Sequence, residues 1–187
     1  AYFISGGNSF FSRSEIKDAM AYLRLLVNPN DDSALLRIIN TPRREIGTTT
    51  IEALATYAAE RDTPLLQAVG EIGIDSHLPA RALSRLRAFS EWRDQLSRKA
   101  ATDSPASVLR QLLDDIDYRD WLEQTSNTSR AAERRWENLG ELLAWLEKLE
   151  QDERRGDDLG ELVGYLSLMD IIERQDEQDG GDRVSLM

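Results

Sequence analysis

The chain has 187 residues, of which 41% are apolar and 30% charged, and a formal net charge of −11. That size supports one well-packed domain, or one domain with part of another, and no apolar run approaches the roughly 20 residues that span a bilayer, so a membrane helix is excluded. With no cysteine, disulfides and thiolate metal ligands are excluded as well, a composition that suits a globular cytoplasmic protein.

Ala1 leads directly into the strand-like run Tyr2-Phe3-Ile4-Ser5 without a targeting pattern, so the expectation is a piece of a longer chain. Gly6-Gly7-Asn8 supplies a tight turn, and no Gly-Lys-Ser/Thr follows it to make a nucleotide-phosphate loop. Ser12 or Ser14 is then expected to cap a helix carrying Ile16, Ala19, Met20, Leu23 and Leu26 at helical spacing, with Asn28-Pro29 as its stop. Asn30, Asp31 and Asp32 fit the start of the next helix better than a catalytic carboxylate pair.

The most informative stretch runs from Leu35 to Thr50. A short apolar helix is stopped by Pro42, a basic turn carries Arg43 and Arg44, and Gly47 precedes Thr48, expected to cap a new helix. The first turn of such a helix has amides without intrahelical acceptors and the positive end of the helix dipole, so positions 47–50 could receive a phosphate beside the two arginines. An ordinary capped helix with solvated arginines accounts for the same residues and is the commoner outcome.

The next helix carries Ile51, Leu54, Ala55, Ala58 and Ala59 and ends at Asp62-Thr63-Pro64. Residues 70–79 read as irregular and contain His77, the sole histidine, which has no base partner or ligand spacing and is expected at the surface. Residues 82–99 form a long amphipathic helix, residues 102–105 break it, and Ala106 or Ser107 starts another through Ile116. Tyr118 and Trp121 are expected in the core rather than as a base-stacking platform. A helix from Ala132 to Leu149, an interruption at Arg154-Arg155-Gly156-Asp157-Asp158, a helix from Leu159 to Ile172, an acidic loop over 173–182 and a strand at Val184-Ser185-Leu186-Met187 complete the chain.

The net acidity counts against a nucleic-acid partner, but its distribution matters more. Residues 1–61 carry seven Lys/Arg and seven Asp/Glu, whereas residues 147–187 carry five and thirteen. A local binding surface around Arg43 and Arg44 therefore survives.

Several runs together carry a family resemblance: Ile4-Ser5-Gly6-Gly7, Ser9-Phe10-Phe11, Arg13, Glu15-Ile16-Lys17-Asp18, Ala21-Tyr22-Leu23-Arg24-Leu25, Asn28-Pro29, Asp31-Asp32, Leu36-Arg37-Ile38-Ile39-Asn40-Thr41-Pro42, Arg44 and Ile46-Gly47. They resemble the superfamily 1 DNA helicases of the UvrD, PcrA and Rep group. Tyr118 with Leu122, and Arg135 with Asn138-Leu139 and Leu142, are similar to later helical segments of that group, more weakly. Arg44-Glu45-Ile46-Gly47 most resembles the Rep branch; many relatives have glycine where Glu45 stands, and this carboxylate would oppose a bound anion.

The resemblance implies a mainly α chain: a helical 2B subdomain inserted in an α/β RecA-like domain, with short β segments at both termini. Residues 1–27 would be the edge of subdomain 2A, residues 28–182 subdomain 2B, and residues 183–187 a return strand into 2A. It implies a parent ATP-dependent 3′ to 5′ DNA helicase using ATP and Mg2+, in which 2B swings between orientations, contacts duplex DNA at the single-strand/duplex junction and regulates unwinding. The family's duplex-contacting residues fall on Arg44, Ile46, Gly47 and Thr48, with Arg43 and Thr49 adjacent, and would read phosphate rather than base sequence. The chain has no Walker A, Walker B or Thr-Leu-His motif, so no ATPase, cofactor, metal or catalytic residues are expected of it alone. A replication or repair protein is a further expected partner, and the acidic residues 147–182 suit an alternative protein-interaction or autoinhibitory role.

Overall fold

One helix is apolar on nearly every side and is therefore driven to the centre. In the computed structural model, which describes residues 10–151 and 158–181, that helix is α1 (Ser14–Val27). It buries Ile16, Ala19, Met20, Ala21, Tyr22, Leu23, Leu25 and Leu26. Around it pack α2 (Asp32–Ile38), α5 (Ala80–Lys99), α8 (Ser129–Glu150) and α9 (Leu159–Gly181). Helices α3 (Thr48–Glu60) and α4 (Leu65–Val69) lie between α2 and α5, and α6 (Pro105–Asp115) and α7 (Tyr118–Thr125) pack on α8. Every regular element among the described residues is a helix, so the fold is mainly α. The expected strands at 2–5 and 184–187, the turn at 6–8 and the interruption at 154–157 lie outside the described residues.

α1 also carries charge into the core, and each charge is matched. The Glu15 carboxylate accepts from Arg135 Nε at 3.1 Å and Asn138 Nδ2 at 2.6 Å, both on α8. Asp18 accepts from the Tyr118 hydroxyl at 2.7 Å and pairs with Arg37 of α2 at 2.7 Å. At the C-terminal end of α1, the buried Arg93 of α5 donates to the carbonyls of Leu25 at 3.0 Å and Leu26 at 3.1 Å, and Ser97 Oγ donates to Leu26 O at 2.9 Å. Carbonyls that a helix end leaves without intrahelical donors are thus satisfied from a neighbouring helix.

Several local expectations need correction. The residue before α1 is Arg13, which makes no side-chain cap; Ser14 is the first helical residue and its hydroxyl serves Glu15 and Arg135 instead. α6 is capped by Ser104, whose Oγ accepts the Ser107 amide, with Pro105 as the first residue, an arrangement suited to proline because the first turn needs no amide there. The expected irregular stretch before α5 contains a 3-10 turn, Ile72–Ser76. The acidic segment after Ile172, expected as a loop, continues α9 to Gly181. Glu, Gln and Arg are good helix formers, and Arg174 pairs one turn back with Asp170 at 2.6 Å. Glu173 gains a tertiary role there, its two oxygens accepting the amides of Phe10 and Phe11 at 3.0 and 3.1 Å. The capping role expected near Asp31 does hold: Asp31 accepts the Ala34 amide at 2.9 Å, and Asp32 accepts the Leu65 amide that opens α4 at 2.9 Å.

Arg93→Ala would leave the Leu25 carbonyl without its donor and the Leu26 carbonyl with Ser97 alone. The expected cost is about 2 to 4 kcal/mol, read from the urea denaturation midpoint; an unchanged midpoint would contradict the role given to Arg93.

Candidate nucleic-acid interface

The turn between α2 and α3 is closed by one side-chain amide. Asn40 Nδ2 donates to the Ile46 carbonyl at 2.6 Å, and its Oδ1 accepts the Ile46 amide at 3.2 Å and the Arg44 amide at 3.4 Å. Ile46 is thereby set into the core, at 2% exposure.

Arg44 fills the inside of the turn. One guanidinium nitrogen donates to the carbonyls of Ile38 at 2.8 Å, Ile39 at 3.2 Å and Pro42 at 3.2 Å; the other donates to the Tyr22 hydroxyl at 2.6 Å. That hydroxyl in turn donates to the Thr41 carbonyl at 2.5 Å. The guanidinium also lies over the Phe89 ring, 4.8 Å from its centroid. Burial pushes the Tyr22 phenol up to about 12, partly opposed by the neighbouring Arg44 charge.

Glu45 sits at φ 54°, the left-handed region where glycine fits with least cost. Its side chain and carbonyl are held from α5: Arg85 pairs with the carboxylate and donates to the Glu45 carbonyl at 3.0 Å, and Arg81 approaches the carboxylate at 3.5 Å. The negative charge at this position is therefore compensated by two cations.

Gly47 is the residue before α3, with φ −68° and ψ 159°, so no positive φ requires a glycine. A Cβ there would meet only Thr49 Oγ1 at 3.9 Å. Thr48, expected as the cap, is instead the first helical residue, and α3 has neither a side-chain cap nor an acidic residue in its first turn. α1, α4, α5 and α7 likewise have no side-chain cap, whereas α2, α6 and α8 are capped by Asp31, Ser104 and Thr128. The Thr50 and Ile51 amides both turn to the Gly47 carbonyl, at 3.0 and 3.1 Å. Those of Thr48 and Thr49 have no acceptor among the described residues, and both residues are exposed.

The six residues singled out from sequence thus divide. Arg43, Gly47, Thr48 and Thr49 are each exposed, Arg43 without a hydrogen-bond or ion-pair partner among the described residues; Arg44 and Ile46 face inward and shape the turn. Sequence reasoning did not single out Asn40, Tyr22 or Arg85. Asn40 beside Thr-Pro is a turn signal that could have drawn attention, whereas Tyr22 and Arg85 reach the turn only through tertiary packing.

Other residues weighed from sequence are placed elsewhere. His77 is exposed, its Nδ1 3.0 Å from the Gly73 carbonyl and its ring 4.8 Å from that of Tyr57. Tyr118 is buried against Asp18, and Trp121 packs at the edge of the core. Among the described residues no group of three His, Asp or Glu side chains could hold a metal ion, and no helix is long and apolar enough to cross a membrane.

Comparison with known proteins adds a family to this geometry. The model of the UvrD-like helicase C-terminal domain matches residues 1–187. The ATP-dependent DNA helicase Rep of Salmonella typhimurium is 46% identical over 153 residues, which cover 81% of this chain and 23% of that protein. Rep of Escherichia coli is 43% identical over 148 residues, 79% of this chain and 22% of its own length. The ATP-dependent DNA helicase PcrA of Bacillus subtilis is 33% identical over 189 residues, covering 100% of this chain and 25% of its own. The chain spans about a quarter of the length of these curated relatives.

Because the folded state raises the Tyr22 phenol from 10.0 to about 12, its contribution to stability is complete below pH 10 and is lost as the pH rises through 12. Tyr22→Phe is expected to cost about 1 to 2 kcal/mol at pH 8 and to lose less stability than the parent chain between pH 10 and 12. Thermal melting across that range checks both; parallel losses in the two chains would remove Tyr22 as the titrating group.

Proposed function

This chain belongs to the UvrD-like helicase C-terminal domain family, and from that premise we propose that it is the duplex-contacting, regulatory helical part of an ATP-dependent DNA helicase of the Rep kind. The longer protein would act in the cytoplasm, hydrolyse ATP with Mg2+ in motor domains and move 3′ to 5′ on single-stranded DNA. Residues 28–182 correspond in this reading to subdomain 2B, flanked by residues 1–27 and 183–187 of the RecA-like subdomain 2A. The relatives, each named an ATP-dependent DNA helicase, support the assignment of the longer protein to that class.

The observation that carries the finer part is the uncapped start of α3. The start of α3 offers two exposed amides, two threonine hydroxyls and the positive end of a 13-residue helix, and four residues before Gly47 stands the exposed Arg43, without a partner among the described residues. A phosphate oxygen accepts from Thr48 and Thr49, Gly47 leaves room for the strand to come close, and Arg43 supplies the charge. Arg44 and Ile46 act in this mechanism as positioning residues. Contact of this type is with the backbone of DNA and is indifferent to its sequence. Seated on duplex, the helical body would rotate as a unit about its connections to the motor, and so regulate unwinding.

The two roles separate experimentally. Arg43→Ala is expected to weaken binding of a fluorescent duplex about tenfold at low salt and to reduce the salt slope by about 1, across all sequences, with no change in melting temperature. Gly47→Asp supplies the missing cap, so it should hold or raise the melting temperature while weakening duplex binding. Unaltered binding and salt slope in both variants would overturn the assignment.

A further inference from the structure

Beside the turn lies an open pocket of about 430 Å³ whose lining includes the cations Arg43, Arg44 and Arg85 and the carboxylates Asp115 and Asp117. That volume is within the range of small-ligand sites. Trp92 and Phe89 of α5 line it as well. The indole is fixed in place: its Nε1 donates to Asp115 Oδ2 at 2.9 Å, and its ring meets those of Tyr22 and Phe89 at 6.0 and 5.7 Å. Two charges lining the pocket are unspent, since neither the Arg43 guanidinium nor the Asp117 carboxylate has a hydrogen-bond or ion-pair partner among the described residues.

A cation, a carboxylate and an aromatic surface lining one pocket match a nucleotide. The arginine suits a phosphate, the indole suits the flat face of a base, and a carboxylate accepts hydrogen bonds from amino and imino groups on the base edge. One free arginine balances the single charge of a phosphodiester rather than that of a free nucleoside triphosphate. We propose that this cavity receives an unpaired nucleotide of a DNA strand, its base on Trp92, its amino edge toward Asp117 and its phosphate at Arg43. The assignment rests on the phosphate reading of the turn, because Arg43 belongs to both sites. It adds a place where the end of a duplex is distinguished from its middle, and a preference for guanine, whose adjacent amino and imino donors match both carboxylate oxygens, over thymine, which offers one donor.

The test uses the 187-residue chain, a blunt fluorescent duplex, the same duplex with a short unpaired guanine or thymine tail, and free dGMP as competitor. The guanine tail is expected to tighten binding about tenfold over the blunt duplex, within the range for stacking one base on an aromatic side chain. Trp92→Leu should abolish that gain and leave blunt-duplex affinity unchanged, its fold checked by far-UV circular dichroism. Asp117→Asn, at a position of φ 49° that asparagine tolerates, should remove the preference for guanine over thymine. A tail gain that is absent, or that survives Trp92→Leu, would overturn the cavity assignment, as would saturation by free dGMP without any tail gain. Blunt-duplex binding that ignores Arg43→Ala would instead remove the reading of the turn itself.

Discussion

A single guanidinium holds the turn on which this account depends. The end of α2 and the bend after it present the carbonyls of Ile38, Ile39 and Pro42 to one point, where the helix dipole is also negative. A planar cation with several donors satisfies all three and still reaches the Tyr22 hydroxyl. Lysine has the charge but lacks this fixed fork. With Arg44 inside, Asn40 can close the loop, Ile46 can enter the core, and the start of α3 is left facing outward.

The turn is referenced to the centre of the molecule through Tyr22, which lies on α1. The same helix is tied to α2 and α7 through Asp18 and to α8 through Glu15. Buried charges of this kind do not necessarily add stability over an apolar core, but they are satisfied in one arrangement only, and removing one partner leaves a costly orphan. The consequence is a helical body whose outward turn keeps a fixed relation to its central helix. That rigidity is what the proposed regulation requires, because contact with DNA at α3 can then reorient the whole body.

Much of this was legible in the sequence because helical periodicity, Asn-Pro and Asp-Thr-Pro stops and acidic starts are local signals. Tyr118 in the core and Asp31 as a cap follow from such signals directly. What escaped was set by tertiary partners. Nothing local distinguishes Arg43 from Arg44, yet one has no partner among the described residues and the other is locked against three carbonyls. Arg93 reads as an ordinary charge on an amphipathic helix and is buried at 7% exposure because the end of α1 needs its donors. Glu173 reads as part of an acidic loop and is helical, with the Phe10 and Phe11 amides to hold. Thr48 reads as a cap, and its place inside the helix is what leaves the amides of Thr48 and Thr49 open.

The net charge of −11 is no obstacle to a DNA contact when Arg43 and the start of α3 are both exposed and the acidic excess lies in residues 147–187. The central claim is that duplex DNA meets the chain at the start of α3, and amide NMR of the 187-residue chain titrated with a blunt duplex tests it most directly. The account predicts that the Thr48 and Thr49 amides shift downfield together with movement of Arg43, while Arg44 and Ile46 change little. Shifts concentrated on α6 to α8, with positions 43 to 49 silent, would contradict it.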